Sequence, residues 1–180
     1  MIEEEIKTLS SRIMYKNKWM QIREDQIKRK DGSLGIYGIV EKPDYAVIVP
    51  RVENYLIMVE QYRYPVKGRF IEFPQGSWEN EKIEPLDLAK AELKEETGYI
   101  TKKIEHIGYI YQSYGHSNQG FNVFLALKLE EGIQELENEE QGLVVKRFTI
   151  NEVEKMIIDN TIKDNASISA FGLLRLKGML

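Results

Sequence analysis

GSWENEKIEPLDLAKAELKEETGYI, residues 76–100, contains the strongest helix signal of the chain. Pro85 suits the first turn of a helix and Gly98 suits the position just after its end, so we predict a helix over residues 85–97. Apolar residues recur here at spacings of three and four, and we expect them to form the buried stripe of this helix: Leu86, Ala89 and Leu93.

The end of the predicted helix has three acidic residues close together: Glu92, Glu95 and Glu96. Like charges four residues apart destabilise a helix by about 0.2–0.5 kcal/mol, and the helix dipole is negative at the same end. Around the helix axis Glu92 and Glu96 lie about 40° apart, so their carboxylates can converge, and Glu95 reaches the same region from the outer side. Either the three side chains form a solvated acidic face, which is the commoner arrangement for this pattern alone, or they bind a cation.

Composition narrows the class of protein. The chain has 180 residues, 42% hydrophobic and 30% charged, which suits one globular domain or a core domain with a smaller appendage. No apolar run approaches the length of a membrane span and the first residues are acidic, so we expect a cytoplasmic protein that does not enter a membrane. Without cysteine and with two histidines, any metal is expected to be a hard cation bound by oxygen. The net charge of −4 argues against a general DNA or RNA binder.

The remaining segments predict a mixed α+β chain. Apolar and polar residues alternate on both sides of Asp31-Gly32, which predicts a hairpin, and two apolar runs flank a turn at Glu53-Asn54, which predicts buried strands. Two helices are expected near the end, the first capped by Asn151 and the second by Asp164 or Asn165. We expect a domain boundary near residue 43, with an N-terminal β-hairpin region over residues 1–42 and a second domain over residues 43–180.

Residues 76–100 resemble the signature of the Nudix hydrolase family, G-x5-E-x7-R-E-U-x-E-E-x-G-U, where U is an apolar residue. Gly76 begins the match, and its second half is present as Glu92, Leu93, Glu95, Glu96, Gly98 and Tyr99. The resemblance implies the Nudix fold, a mixed sheet between helices, here with an N-terminal antiparallel β-hairpin or sheet. It also implies that Glu92 and Glu96 are the principal Mg²⁺ ligands, that Glu95 assists them, and that Mn²⁺ can substitute.

The chain departs from the signature at three places. Gly76 and Gly98 are 22 positions apart, one more than in the family pattern. The early glutamate has no clean counterpart, because counting from the two ends reaches Lys82 or Ile83, with Glu81 and Glu84 as neighbours. The family's arginine is replaced by Ala91, so the guanidinium that commonly orients a carboxylate of the site is missing.

The resemblance extends to both sides of the signature. The segments QYR, ending at Arg63, and EFPQG, residues 72–76, resemble the ADP-ribose pyrophosphatase branch of the family. This implies that Arg63 faces a substrate phosphate, that Glu72 lies beside the site and that the backbone carbonyl of Gln75 is a metal ligand. In this branch the N-terminal sheet joins two subunits and helps to enclose the adenine, which implies a homodimer.

Aromatic and polar residues of other segments are candidates for binding substrate. Trp19 and Tyr37 are the candidates for stacking on the base, although such residues more often pack a sheet. After the signature, Tyr114 replaces a proline of the branch and Gln119 replaces a glutamate. An amide orients a water molecule but cannot accept its proton as a general base. The base is then either Glu95 or a residue of the acidic stretch: Glu137, Glu139 or Glu140.

The expected activity is Mg²⁺-dependent hydrolysis of the pyrophosphate in a nucleoside diphosphate linked to another group. ADP-ribose, giving AMP and ribose 5-phosphate, is the first candidate substrate, and a nucleotide sugar is the second. Two alternatives stay open. FPQG also precedes the signature in RNA 5′-pyrophosphohydrolases, and Ala91 together with Gln119 suits a nucleotide-sensing module without catalysis.

Overall fold

The structure is a computed structural model that describes residues 5–77, 83–136 and 140–180. The chain forms two compact units, Met1–Asp44 with Tyr111–Gly120, and Tyr45–Ile110 with Phe121–Leu180. The second part of the smaller unit, Tyr111–Gly120, lies far from the N-terminal strands in the sequence. The division into functional domains at residue 43 stays a prediction.

The N-terminal unit is a three-stranded antiparallel sheet in the order β1-β2-β3. Its strands are β1 (Ile6–Lys16), β2 (Gln21–Arg29) and β3 (Leu34–Glu41). The hairpin predicted around Asp31-Gly32 is confirmed, and Gly32 adopts a positive φ of 85° in its turn. Sequence reasoning missed β1 because two register shifts interrupt its alternation and all of its 11 residues are exposed.

The second unit contains a seven-stranded mixed sheet with the order β10-β5-β4-β9-β8, to which β6 and β7 add beside β5 and β4. The strands are β4 (Tyr45–Val52), β5 (Tyr55–Arg63), β6 (Gly68–Glu72), β7 (Gln75–Gly76), β8 (Tyr99–Tyr111), β9 (Gly120–Glu131) and β10 (Val144–Thr149). A 3₁₀ turn, Tyr64–Val66, connects β5 to β6. The pairing of β4 with β9 is parallel and that of β4 with β5 is antiparallel.

Helices cover both faces of this sheet. They are α1 (Pro85–Thr97), α2 (Ile150–Ile158) and α3 (Asn165–Leu176). Along β4 successive side chains point to opposite faces, so Ile48 joins the cluster that includes Leu93 of α1, while Val49 joins the cluster that includes residues of α2 and α3. The predicted architecture, a mixed sheet between helices with an N-terminal antiparallel sheet, is confirmed.

Helix α1 has the predicted bounds, but its buried face differs from the predicted stripe. Leu86 is 41% exposed, and Leu88 takes its place in the core with Ala89 and Leu93. The difference matters because Glu92 and Glu96 follow Leu88 at intervals of four residues and therefore share its row on the helix. When this row faces the sheet, both carboxylates are carried into the protein instead of lying at the margin of the apolar stripe.

The caps of the last two helices are clear. Thr149, and not the predicted Asn151, caps α2, and a reciprocal pair of contacts with Glu152 completes a capping box. Asp164 caps α3, which selects one of the two predicted residues. Among the described residues, none of the helices has the length and apolar character needed to cross a membrane.

Candidate active site

Three carboxylates converge at the C-terminal half of α1. Glu92 and Glu96 come from the helix and Glu140 from the turn before β10, and one oxygen of each lies within 4.8 Å of those of the other two. Glu92 is 5% exposed and Glu96 is 1% exposed. Since ionised carboxylates are rarely buried together, such a cluster is stabilised either by a proton on one of its members or by a cation bound among them.

The pKa of Glu96 reflects this crowding of buried carboxylates. Burial raises the pKa of Glu96 well above its ordinary value, and the carboxylates of Glu92, Glu140 and Glu72 act in the same direction. A hydrogen bond from the backbone N–H of Gln75 to Glu96 Oε2, 3.1 Å long, opposes them. A hard divalent cation fits this set of oxygen donors, because carboxylates are the ligands that Mg²⁺ and Mn²⁺ prefer.

Gly76 makes room for Glu92. A Cβ atom on Gly76 would lie 2.3 Å from Oε2 of Glu92 and 2.5 Å from its Oε1. No side chain fits at this position while Glu92 keeps its place. The glycine that begins the signature is therefore required by a close approach between β7 and α1, and not by a turn.

A second charged group lies beside the cluster. Glu72 is 2% exposed and pairs with Arg63 through two contacts, Nη2 to Oε1 at 2.8 Å and Nε to Oε2 at 3.2 Å. The amide of Gln75 donates a further hydrogen bond to Glu72 Oε2 at 3.0 Å. Burial raises the pKa of Glu72, and the charge of Arg63 opposes this shift. The pair fixes the direction of the guanidinium, while the Arg63 side chain keeps 41% of its surface exposed.

The end of α1 is anchored by the segment that follows β9. Gly98 adopts a φ of 75° and closes the helix by donating to the carbonyl of Lys94. Gln134 Nε2 donates to the carbonyl of Glu96 at 2.6 Å, and the N–H of Glu135 donates to that of Glu95 at 3.1 Å. These contacts satisfy carbonyls that a helix end leaves without partners, and they hold the acidic turn in place.

Family comparisons agree with this geometry. The model of the NUDIX domain matches residues 41–169, and the model of the nucleoside diphosphate sugar hydrolase N-terminal domain matches residues 6–40. The chain belongs to the Nudix family. As a Nudix hydrolase it acts on pyrophosphate bonds.

Individual relatives of this Nudix hydrolase match over nearly its whole length. The ADP-ribose pyrophosphatase of Bacillus subtilis (strain 168) is 31% identical over 179 residues, which are 98% of this chain and 96% of that protein. The methanol dehydrogenase activator of Bacillus methanolicus is 28% identical over 182 residues, with the same coverage. The crystal structure of an ADP compounds hydrolase superposes with a TM-score of 0.84 at 18% identity, over 98% of each chain, which supports the fold.

The predicted metal and phosphate residues of this Nudix hydrolase lie in the larger unit. Glu92, Glu96 and Gln75 are close together, and Arg63 and Glu72 adjoin them through Gln75. Glu95 is half-buried on the same helix but is not part of the three-carboxylate group. Its roles as metal ligand and base stay predictions.

Four predicted residues of the Nudix hydrolase lie in the N-terminal unit: Trp19, Tyr37, Tyr114 and Gln119. Trp19 is 44% exposed and has Lys18 Nζ 4.2 Å from its ring centre, while Tyr114 is 83% exposed. Tyr37 donates its hydroxyl to the carbonyl of Gly115 at 2.9 Å. The Gln119 amide is 8% exposed and donates to the carbonyl of Pro43 at 2.7 Å, so it has a structural partner. The substrate and catalytic roles of these residues stay predictions.

The departures from the Nudix signature can be located in part. Ala91 is half-buried, and neither neighbouring lysine replaces the family's arginine, because Lys90 pairs with Asp87 and Lys94 pairs with Glu135. Glu81 and Lys82, like the candidate bases Glu137 and Glu139, lie outside the described residues.

Sequence reasoning about this Nudix hydrolase missed one polar residue near the cluster. Asp164 was expected to cap a helix, but its Oδ2 also accepts a hydrogen bond from Gln75 Nε2 at 3.2 Å. The capping pattern carries no signal for this second contact, because the two residues are 89 positions apart.

Proposed function

We propose that this Nudix hydrolase cleaves the pyrophosphate of a nucleoside diphosphate linked to another group, in a reaction that requires Mg²⁺ or Mn²⁺. ADP-ribose, giving AMP and ribose 5-phosphate, is the first candidate substrate, and a nucleotide sugar is the second. The observation that carries the proposal is the convergence of Glu92, Glu96 and Glu140 beside the Arg63–Glu72 pair. The match to an ADP-ribose pyrophosphatase over 98% of the chain supports the substrate class.

The residues for the metal are those of the carboxylate cluster. Glu92, Glu96 and Glu140 would bind it, and the carbonyl of Gln75 and the carboxylate of Glu95 are proposed as further ligands. When bound, the metal polarises phosphate oxygens and lowers the pKa of a water molecule. A bound cation would also stabilise the carboxylate cluster, because its charge offsets the repulsion among carboxylates that are shielded from water.

The chain's own groups would bind the substrate and move the proton. Arg63 is proposed to bind a phosphate oxygen by a charge-assisted hydrogen bond, with its guanidinium held by Glu72. In the proposed step, water attacks a phosphorus atom, an O–P bond forms, the bridging O–P bond breaks, and a carboxylate accepts the proton. Among the described residues, whichever of Glu140 and Glu95 does not bind the metal is the candidate for this general base, and Gln119 is proposed to orient the water by its amide.

The N-terminal sheet is proposed to bind the adenine of the substrate and to form a homodimer. Apolar side chains of β1 are unusually exposed for a sheet surface: Ile6, Leu9, Ile13, Met14 and Tyr15 are each 42–50% exposed. A second copy of the chain would cover them. The residues proposed to bind the adenine are Trp19, Tyr37 and Tyr114. The cytoplasmic location stays a prediction.

A substrate panel tests the function directly. Purified protein is incubated with ADP-ribose, a nucleotide sugar, a dinucleotide and 5′-triphosphorylated RNA, with Mg²⁺, Mn²⁺ or a chelator, and the products are separated by chromatography. We expect AMP from ADP-ribose with either metal, and no product with the chelator. Glu96→Gln should abolish the activity, whereas the matched control Glu131→Gln, at an exposed position, should keep it.

The same panel separates the alternatives. Activity that persists in the chelator or in Glu96→Gln would exclude the proposed mechanism. Preferential cleavage of RNA, with a steep salt dependence of binding, would favour the RNA pyrophosphohydrolase. A nucleotide that raises the melting temperature with Mg²⁺ and is recovered intact would identify a sensing module.

A further inference from the structure

We propose that Asp164 is a positioning residue for the carboxylate cluster, acting through Gln75. The inference rests on the proposed function, since it assigns a support to the proposed metal site. Asp164 is distant from that site in the sequence, and it is not one of the clustered carboxylates. Its effect would pass through two hydrogen bonds, one from Gln75 to Asp164 and one from Gln75 to Glu96, which join the N-cap of α3, β7 and α1.

The first contact begins at the cap of α3. One oxygen of Asp164, Oδ2, accepts two hydrogen bonds, from the backbone N–H of Ser167 at 2.8 Å and from Gln75 Nε2 at 3.2 Å. The first bond is the helix cap, and it fixes the carboxylate relative to α3. The second bond uses the same fixed oxygen to hold the amide of Gln75.

The Gln75 side chain is held at a second point as well. Its Nε2 also donates to Glu72 Oε2 at 3.0 Å, so the NH₂ group lies between two carboxylates that repel each other and both accept from it. This arrangement sets the direction of the amide. A carboxylate in place of the amide would have no hydrogen to donate to either neighbour.

The last contact links Gln75 to Glu96 of the carboxylate cluster. The backbone N–H of Gln75 donates to Glu96 Oε2 at 3.1 Å. The carbonyl of the same residue is the proposed metal ligand, so the orientation of one peptide segment affects two ligands. Residues that orient the ligands of a metal commonly change its affinity about 10–100-fold when they are removed.

The N-terminal end of α3 is itself fixed by a buried hydrogen bond. Ser167 is 1% exposed, and its hydroxyl accepts a hydrogen bond from the backbone N–H of Phe73 at 2.7 Å. The N-terminal end of α3 therefore contacts two places, Phe73 just before β7 and Gln75 within β7. Because Asp164 has both roles, the test must separate the cap from the contact with Gln75.

Two substitutions of Asp164 make this separation. Asp164→Ser keeps a capping oxygen, since serine caps about as well as aspartate, but this oxygen is one bond nearer to the main chain and does not reach Gln75. Asp164→Asn keeps one oxygen that can accept both hydrogen bonds, while the charge is lost and an NH₂ group replaces the other oxygen. The serine variant should therefore lose the positioning effect, and the asparagine variant should retain it.

Two measurements without substrate report the effect. Amide hydrogen exchange, followed by NMR, gives the protection of the Gln75 N–H, and calorimetry gives the affinity for Mn²⁺. In Asp164→Ser we expect the Gln75 N–H to exchange about 10-fold faster and Mn²⁺ to bind about 10-fold more weakly, with little change in melting temperature. Asp164→Asn should resemble the wild-type protein in amide exchange, in Mn²⁺ affinity and in melting temperature.

A double-mutant cycle shows whether Asp164 acts through Gln75. Gln75→Ala removes the amide but keeps the backbone groups, so we expect it to weaken Mn²⁺ binding as Asp164→Ser does. The double variant should bind Mn²⁺ as tightly as Gln75→Ala alone. Losses that add fully, or wild-type exchange at the Gln75 N–H in Asp164→Ser, would overturn the proposal.

The exchange measurement also separates this proposal from the proposed function. If the wild-type protein hydrolyses no nucleotide, the function fails, but faster exchange at Gln75 in Asp164→Ser still supports the positioning role. If the wild-type protein is active, and Asp164→Ser has the same exchange rate at the Gln75 N–H and the same Mn²⁺ affinity as the wild-type protein, the positioning role is wrong and the function stands.

Discussion

Replacing Gly76 by alanine is the most direct test of the close approach between β7 and α1. The new Cβ atom would lie 2.3 Å from Glu92 Oε2, whereas ordinary van der Waals contact begins at 3.4 Å. The backbone of Gly76 belongs to the short strand β7, which pairs with β4, so the backbone is less free to move than the side chain of Glu92. We therefore expect the Glu92 carboxylate to move.

The size of the effect follows from this overlap. Relief of the contact requires a displacement of about 1 Å, and a misplacement of this size in a catalytic site costs about 100-fold in rate. The fold should tolerate the change, because alanine also restricts the unfolded chain, which stabilises by about 0.4–1 kcal/mol and offsets part of the local strain. Gly76→Ala should thus lower kcat/KM about 100-fold while the melting temperature changes little.

The assay measures kcat/KM for ADP-ribose over a range of Mg²⁺ concentrations, together with the melting temperature. Gly172→Ala is the matched control, because it is the same substitution in helix α3, where the added Cβ meets nothing within 4 Å. The control should keep wild-type activity and gain about 0.5–1 kcal/mol of stability from the better helix former. A Gly76→Ala variant with wild-type kcat/KM and an unchanged requirement for Mg²⁺ would refute the reasoning.

Three further predictions follow from the charges around the site. Burial, reinforced by the neighbouring carboxylates, raises the pKa of Glu96, so the folded protein keeps a proton that the unfolded chain loses above about pH 4.3. The free energy of unfolding of the metal-free protein should therefore fall by about 1.4 kcal/mol per pH unit as the pH rises above this value, until Glu96 ionises in the folded protein. Thermal unfolding in EDTA over a range of pH should show that Glu96→Gln lacks this part of the slope. Equal slopes of stability against pH in the variant and the wild type would contradict the prediction. Arg63→Ala leaves the buried carboxylate of Glu72 without its cation, so we expect a loss of about 1–2 kcal/mol of stability. We also expect a raised KM for ADP-ribose, and an unchanged KM would exclude a contact between Arg63 and a substrate phosphate. Arg69 Nη2 donates to the carbonyl of Gly142 at 2.7 Å and so holds the turn that contains Glu140; Arg69→Ala should weaken Mn²⁺ binding in calorimetry about 10-fold, and wild-type affinity would show that the turn is placed without it.

Local signals predicted the elements of this protein well. Pro85 and Gly98 mark the two ends of α1, because each residue suits one backbone position that the helix needs there. The turn at Asp31-Gly32 was equally clear, since a glycine adopts the positive φ that a tight hairpin requires. Strand β1 lacked such a signal because its residues are all exposed and its register shifts twice.

The resemblance to the family signature proposed Glu92 and Glu96 as metal ligands, but their burial depended on the face that α1 presents to the sheet. The apolar spacing alone suggested Leu86 for the core, and only the packing of α1 against β4 shows that Leu88, and with it the row of Glu92 and Glu96, lies inside. Periodicity reports the geometry of one helix. It does not report which neighbouring surface the helix meets.

The amino-acid sequence by itself predicted the helix, the hairpin and the family, and it proposed Glu92 and Glu96 as metal ligands, because these signals depend on residues close together in the chain. The tertiary structure alone decided that Glu140 joins them and that Asp164 reaches Gln75 across 89 positions. Such contacts form only after the sheet has brought distant segments to one place. A local pattern therefore identifies a carboxylate, and the packing of the whole unit selects its partners.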